Sequence, residues 1–440
     1  MLNFILNIIE LDFQKAVEIA IKSNIQILQS EKSLELSSFD YIKSRSNILP
    51  KVSINAIYTY TANPAVIKFG TPTRYIGYQD PQHPGQFIIY PDPNSIVYSE
   101  LPFRPAHTFN AQFTLQQNIF NWFRDINAIR LSQEQIEIQK LNVQINKFKI
   151  EYQVKSFYID LLFFKETFKL QEKTINDLEE IYKSTKLRYE KGLSSNLELN
   201  QAEVNYENAK ISYENAKRTY EELLNNLKMI LNLPKDEEIV IKDSLEGLNI
   251  SQIEVNENNL NNRLDIISYE KQLRALNLLS SIQNSLNKPN LIAQAQFLGS
   301  RPAPNLEDKF GGTWTFSIIF AWNVFDGFST SADVNKTIIQ EEQINLLKNF
   351  AILNANIQLK NALSSIERNK QNLESAKRNA KLSEALLNSS KEQYEKGYIS
   401  NLQFNDIQRT YIASQINYKQ ALRDYYKSLI DLEAVLKGGK

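Results

Sequence analysis

One stretch of the chain is written twice. "YEKGLSSNLELN" begins at Tyr189 and "YEKGYISNLQFN" at Tyr394, an offset of 205 residues. The same offset pairs "NIFNWF" (Asn118 to Phe123) with "NVFDGF" (Asn323 to Phe328), and Ala216, Arg218 and Tyr220 with Ala421, Arg423 and Tyr425. Upstream the offset becomes 239, matching "EKSL" from Glu31 with "EKQL" from Glu270 and Pro50 with Pro289. A duplication on this scale constrains the architecture before any element is assigned, because what one half folds into the other must also adopt. The repeats run over 1–233 and 250–440, joined by a charged linker at 234–249. As the offset falls from 239 to 205, an insertion of 34 residues lies between Pro50 and Asn118.

Eight of the 13 prolines fall between Pro64 and Pro105, which excludes helix and central strand there and predicts a long loop over 61–107. Each half then reads helix, strand, loop, strand, very long helix, tight turn, helix. Strands are expected at about 51–60, 108–117, 290–298 and 312–322, each alternating with period two. Phe109, Ala111, Phe113 and Leu115 face one way, with Thr108, Asn110, Gln112, Thr114 and Gln116 opposite. Trp314, Phe316, Ile318, Phe320 and Trp322 make a second apolar face, Val52, Ile54, Ala56, Tyr58 and Tyr60 a third, and Leu291, Ala293, Ala295 and Phe297 a fourth. A soluble sandwich also alternates, but lengths near ten residues with aromatic ends fit strands that face lipid.

No run approaches the roughly 20 apolar residues of a spanning helix, so any membrane crossing falls to the strands. Four strands do not close a barrel, since single-chain barrels begin at about eight. Open edges in lipid leave backbone groups unpaired. Membrane strands in this chain therefore require a cyclic oligomer.

From about Ile126 to Leu187 there is neither proline nor glycine, enough for an unbroken helix of about 90 Å. Ile129, Ile136, Val143, Ile150, Phe157 and Phe164 recur every seven residues. Leu131, Ile138, Ile145, Tyr152 and Ile159, with Leu141, Phe148 and Leu162, form a second apolar stripe on the far side. Two polar sectors separate the stripes. An ordinary bundle helix has one apolar and one wet face. Two of each suit a helix with neighbours on both flanks and water inside and outside, as in the wall of a hollow barrel. A soluble coiled-coil scaffold is the alternative, and it accounts for the heptads but not for the second polar sector.

Charge and composition narrow the function classes. Lys plus Arg and Asp plus Glu stand at 50 each, so no basic field marks a nucleic-acid partner. The absence of cysteine excludes disulfides, thiolate metal sites and a cysteine nucleophile. His83 and His107 lack partners at metal-binding spacing, and no cofactor is expected. No phosphate loop and no nucleophile with a base is present, which speaks against an enzyme.

The duplication, the paired strands, the two Tyr-x-x-Gly turns followed by "SNL", and the strand exits at Ile119 to Trp122 and Val324 to Gly327 together resemble the TolC-like outer-membrane efflux family over nearly the full length. The resemblance implies a mainly α protein with membrane β-strands. It also implies a homotrimer whose chains each give four strands to a 12-stranded β-barrel continued by a long α-helical barrel in the periplasm. It implies an exit duct of a tripartite efflux pump or type I secretion system, with a periplasmic adaptor protein, an inner-membrane transporter and outer-membrane lipid as partners. The family usually carries a cleaved signal or a lipidated cysteine. "MLNFILNIIELDF" shows an apolar patch without a basic n-region or a small-residue cleavage site, so the expectation is a signal that is absent or cut back, with an amphipathic start to the first helix as the alternative.

The resemblance also places the tunnel's tip at the turns. Gly192, Leu193, Ser194, Ser195 and Asn196, with Gly397, Tyr398, Ile399, Ser400 and Asn401, would form the adaptor-docking rim. Glu198, Gln201, Gln403 and Asp406 fall at the constriction, where the family places acids, and Gln403 stands in for one of them. Tyr394 matches a tethering tyrosine whose basic partner position is Ile399 here. "SNLE" and "SNLQ" also satisfy the capping-box pattern, and the two glycines suit left-handed helix ends, so Glu198 and Gln403 have a structural explanation. Asp406 has none. Repeated by symmetry it would form a negative ring, and Asp406→Ala is expected to raise conductance and weaken cation selectivity.

Overall fold

The computed structural model describes residues 8–64, 66–102, 105–234, 236–250, 260, 262–305 and 307–438. Its elements are β1 (Ile8–Leu11), α1 (Phe13–Ser23), α2 (Ile25–Ser46), β2 (Lys51–Tyr60), β3 (Val66–Pro72), β4 (Tyr75–Gln79), β5 (Phe87–Pro91), β6 (Ile96–Pro102), β7 (His107–Phe120), α3 (Arg124–Glu190), α4 (Asn196–Ile230), β8 (Glu238–Ile241), α5 (Leu264–Asn284), β9 (Asn290–Arg301), β10 (Gly311–Ala321), α6 (Ser329–Glu395) and α7 (Asn401–Lys437). The chain divides into two compact units. One comprises Met1–Tyr41, Arg130–Ser280 and Asn335–Lys440; the other Ile42–Ile129 and Ser281–Val334. Each unit draws on both sequence repeats.

The second unit is built on an antiparallel sheet of order β10-β9-β7-β2. Its register lines up like with like. Ile54, Phe113, Phe297 and Trp314 form one row across all four strands, and Val52, Leu115, Ala295 and Phe316 the next on the same face. The intervening rows are polar: Ser53, Thr114, Gln296 and Thr315, then Lys51, Gln116, Gln294 and Ser317. Because successive side chains alternate sides, one face of the sheet is apolar and the other carries hydroxyls and amides. Phe316 and Ile318 on the apolar face are 77% and 75% exposed within the single chain. No described helix is long and apolar enough to cross a membrane.

The two hairpins of the sheet share one register. Tyr58 opposes Phe109 in β2–β7, and Phe297 opposes Trp314 in β9–β10, positions related by the 239 and 205 offsets. Past each hairpin the strand turns into a helix through two residues with positive φ, Trp122 and Phe123 in one case, Gly327 and Phe328 in the other. The left-handed conformation costs a non-glycine residue about 1–2 kcal/mol. At Trp122 it is offset by an indole hydrogen bond, Nε1 donating to the Pro289 carbonyl at 2.8 Å.

Three sequence expectations are corrected by this architecture. The stretch 61–107 is not a structureless loop. Its described residues form two hairpins, β3–β6 and β4–β5. Prolines fit there because each sheet has only two strands, so every strand has a free edge, and Pro72, Pro91 and Pro102 sit at strand ends. The linker 234–249 contains β8, whose "EIVI" pairs in parallel with β1. The N-terminal apolar patch is therefore not helical over Ile8–Leu11; it is strand, and α1 begins after the N-cap Asp12. Met1–Asn7 lie outside the described residues. Trp322 falls just past β10, where its indole donates to the Asn287 carbonyl at 2.9 Å.

From Arg130 onward α3, a helix of 67 residues in all, belongs to the first unit. Its middle is the core. Val154, Tyr158, Ile159, Leu161 and Leu162 pack with Leu11 of β1, Ala16 and Ala20 of α1, Leu227 of α4, Ile239 and Ile241 of β8, and Ile430 of α7. Charge pairs then run along α3 and α7. Lys155 meets Glu433 at 2.8 Å, Asp160 meets Lys427 at 2.7 Å, and Lys419 meets Glu166 at 3.8 Å and Glu246 at 2.7 Å.

Glu433 and Lys155 set a pH window. Burial pushes the Glu433 carboxyl up, but hydrogen bonds from Lys155 and Lys437 outweigh it and hold the group below the usual carboxylate range. Burial likewise disfavours the charged Lys155, and Glu151 and Glu433 more than compensate, leaving its ammonium above the usual range. A depressed carboxyl contributes stability above its unfolded value, about 4.3, and loses it as pH falls; a raised lysine contributes below about 10.4 and loses it as pH rises. The expected result is a plateau of thermal stability between those limits and a fall on the acid side. Glu433→Gln should flatten the acid limb in melts followed by circular dichroism, and an unchanged slope would remove Glu433 from that role.

Candidate functional site

The two YEKG turns connect α3 to α4 and α6 to α7, and they are built alike. Gly192 and Gly397 have φ of +72 and +76. The Leu193 amide donates back to the Arg188 carbonyl and the Tyr398 amide to the Gln393 carbonyl, both at 2.8 Å, which closes each helix end with a left-handed glycine. Ser195 and Ser400 then open the next helices with complete capping boxes. Glu198 accepts from the Ser195 amide at 3.0 Å and Gln403 Oε1 from the Ser400 amide at 3.1 Å. Hydrogen bonds from the Ser194 hydroxyl and then the Ser195 amide hold the Glu198 carboxyl below its usual range. Both side chains are thus engaged in starting helices.

The structure separates the expected site residues into inward and outward sets. Leu193 and Tyr398 are exposed at the turn apices, while Ile399 is only half-exposed. Asn401 departs from the expected docking rim. It is buried, and its amide donates to the Tyr394 hydroxyl at 3.2 Å and accepts from Asn405. Tyr394 stacks on Phe404 with ring centres 4.9 Å apart. These two contacts of Tyr394 lie inside the α6–α7 hairpin.

Asp406 and Gln201 meet in one place. A cleft of about 340 Å³ between the first turns of α4 and α7 is lined by Asn200, Gln201 and Asn205 on one side and Asn405, Asp406 and Arg409 on the other. Asp406 is exposed and Gln201 half-buried. Sequence reasoning missed Arg409, whose Nη2 donates to Asn205 Oδ1 at 3.1 Å, and the buried amides of Asn405 and Gln408. The signal for Arg409 was its spacing of three from Asp406, which puts the two on one helix face. Among the described residues no acid, histidine or cysteine cluster suits a metal ion.

A mostly helical, internally duplicated chain with an amphipathic antiparallel sheet and two helix reversals built alike is the architecture that positions these residues. The sequence pattern of the outer membrane efflux protein family matches residues 16–233 and 256–438, and the chain belongs to that family. It has the TolC-like fold, and its family is one of outer-membrane channels and not of enzymes. Nodulation protein T of Rhizobium leguminosarum bv. viciae is 21% identical over 292 residues, 64% of this chain and 60% of that protein. The Campylobacter jejuni CmeC outer membrane channel matches with a TM-score of 0.75 at 17% identity, over 97% of this chain and 86% of its own. The open state of the Neisseria gonorrhoeae MtrE outer membrane channel matches at 0.75 and 17%, over 97% and 89%.

Proposed function

We propose that three copies of the chain close a 12-stranded barrel in the outer membrane, continued by a helical barrel in the periplasm. This assembly is the passive exit duct of a tripartite efflux pump or type I secretion system. An adaptor docks on Leu193, Ser194, Ser195 and Asn196 and on Tyr398, Ile399 and Ser400 at the turns, and an inner-membrane transporter selects the cargo. Glu198, Gln201, Gln403 and Asp406 line the narrow end, with Tyr394 bracing it from within its own hairpin.

The observation that carries this reading is the open sheet. Its edges, β2 and β10, end the order β10-β9-β7-β2, and an open edge is not tolerated in lipid. Joining β10 to the β2 of a second copy repeats a junction already present inside the chain, because β7 and β9 are the duplicates of β10 and β2. By the two offsets, the Gln112–Leu298 pair of β7–β9 becomes Ser317 opposite Thr59 of the next copy. Parity agrees: both pairs lie on the polar face. The exposed seam Ile339, Leu346, Phe350, Leu353 and Ile357 of α6, at spacings of three, four and seven, supplies a further surface for a neighbouring copy.

A chain without cysteine is suited to a cross-linking test. Residues directly opposed across strands have Cβ atoms about 4.5–5.5 Å apart. Ser317→Cys with Thr59→Cys should give covalent dimers and trimers on oxidation in isolated outer membranes, whereas Ser317→Cys with Ile57→Cys should give far less. A chain that is monomeric without detergent, with no cross-linked product, would refute the assembly.

A further inference from the structure

The face of α7 that carries Asp406 carries a second charge. Asn401, Phe404, Asn405 and Gln408 are buried and make the packed side of its first two turns. Leu402, Asp406 and Arg409, four and then three residues apart, make the exposed side. Asp406 and Arg409 open onto the same cleft, and Asn205 aims the guanidinium into it. By the 205 offset, the counterparts of Asp406 and Arg409 in α4 are Gln201 and Val204. Acid and base therefore occur together in the second repeat and are both missing from the first.

We infer that Arg409 is the residue that sets charge selectivity at the tip, by offsetting Asp406. The inference rests on the proposed trimeric duct. Three residues separate the two, about 4.5 Å along the axis, which is less than the screening length of about 8 Å at physiological salt. A passing ion senses their sum. At the level of Asp406 and Arg409 three copies then present a charge-balanced ring instead of a net negative one, with Glu198 held nearer the turn in its capping box, and the duct admits anionic and zwitterionic solutes more readily than Asp406 alone would allow.

The test is the reversal potential of the purified oligomer in planar bilayers under a potassium chloride gradient. The native channel should discriminate weakly between potassium and chloride. Arg409→Gln should raise the cation-to-anion permeability ratio at least about threefold, and Asp406→Asn should shift it toward anions. Arg409→Lys keeps the charge without the forked hydrogen bond and should match the native channel, which separates electrostatics from a packing role. Conducting channels whose reversal potential is unmoved by Arg409→Gln would overturn the inference alone. Absence of conductance from every form would overturn the duct reading, and this inference with it.

Discussion

Phe316→Arg is expected to abolish the assembled outer-membrane form. Phe316 lies within β10, in the row formed by Val52, Leu115 and Ala295, and it is among the most exposed apolar side chains of the single chain. On the proposed barrel this row faces hydrocarbon. An arginine on the lipid face costs about 2–4 kcal/mol near the bilayer midplane, and symmetry imposes that cost in every copy. The neighbouring Ser317 faces the other way, so Ser317→Arg should be tolerated and should change only what passes. Heat-modifiable oligomer in outer-membrane fractions, compared for the two variants, is the readout. Loss of Ser317→Arg with Phe316→Arg tolerated would mean that the faces have been assigned the wrong way round, and equal loss for both would overturn the assignment altogether.

Tyr158→Ala should be the most damaging single change in the helical unit. Tyr158 is the largest fully buried side chain described. Its ring meets Phe13 edge-on at 5.7 Å, and its hydroxyl approaches the Leu11 carbonyl at 3.2 Å and Asp243 Oδ2 at 3.1 Å. The same Asp243 oxygen accepts from the Phe13 amide at 2.7 Å. One side chain thus ties the middle of α3 to β1, to the start of α1 and to the segment after β8. Truncation of a buried aromatic costs about 3–5 kcal/mol. Tyr158→Phe keeps the ring and removes one donor, for about 1–3 kcal/mol. Urea melts of the three proteins separate packing from hydrogen bonding. A Phe variant as unstable as the Ala variant would mean that the polar cluster, not the ring, holds the junction.

The residues most legible in the sequence were those whose local chemistry decides their conformation. Gly192 and Ser195, with Gly397 and Ser400, encode helix end and helix start within a few residues, and both boxes form. Period-two alternation was legible in β2 and β10 for the same reason. What escaped depended on long-range pairing. β8 has only four residues and is a strand because β1, 230 positions earlier, lies beside it. The hairpins of 66–102 were hidden by prolines that only forbid strands with partners on both sides. Asn401 looked like a surface residue of a turn, and only the Tyr394 hydroxyl above it explains why it points inward. Arg409 was passed over because an exposed arginine on a helix is ordinary until its cleft is known.

The open order of the sheet has a genetic consequence. On the proposed trimer, a subunit whose β2 or β10 edge is spoiled can still offer its sound edge to one normal subunit, and the ring it joins does not close. In a cell making equal amounts of sound and spoiled chains, random mixing leaves only about one ring in eight built wholly of sound subunits. Edge-strand lesions should therefore act as dominant poisons, whereas a chain too unstable to fold at all should be silent beside the normal copy.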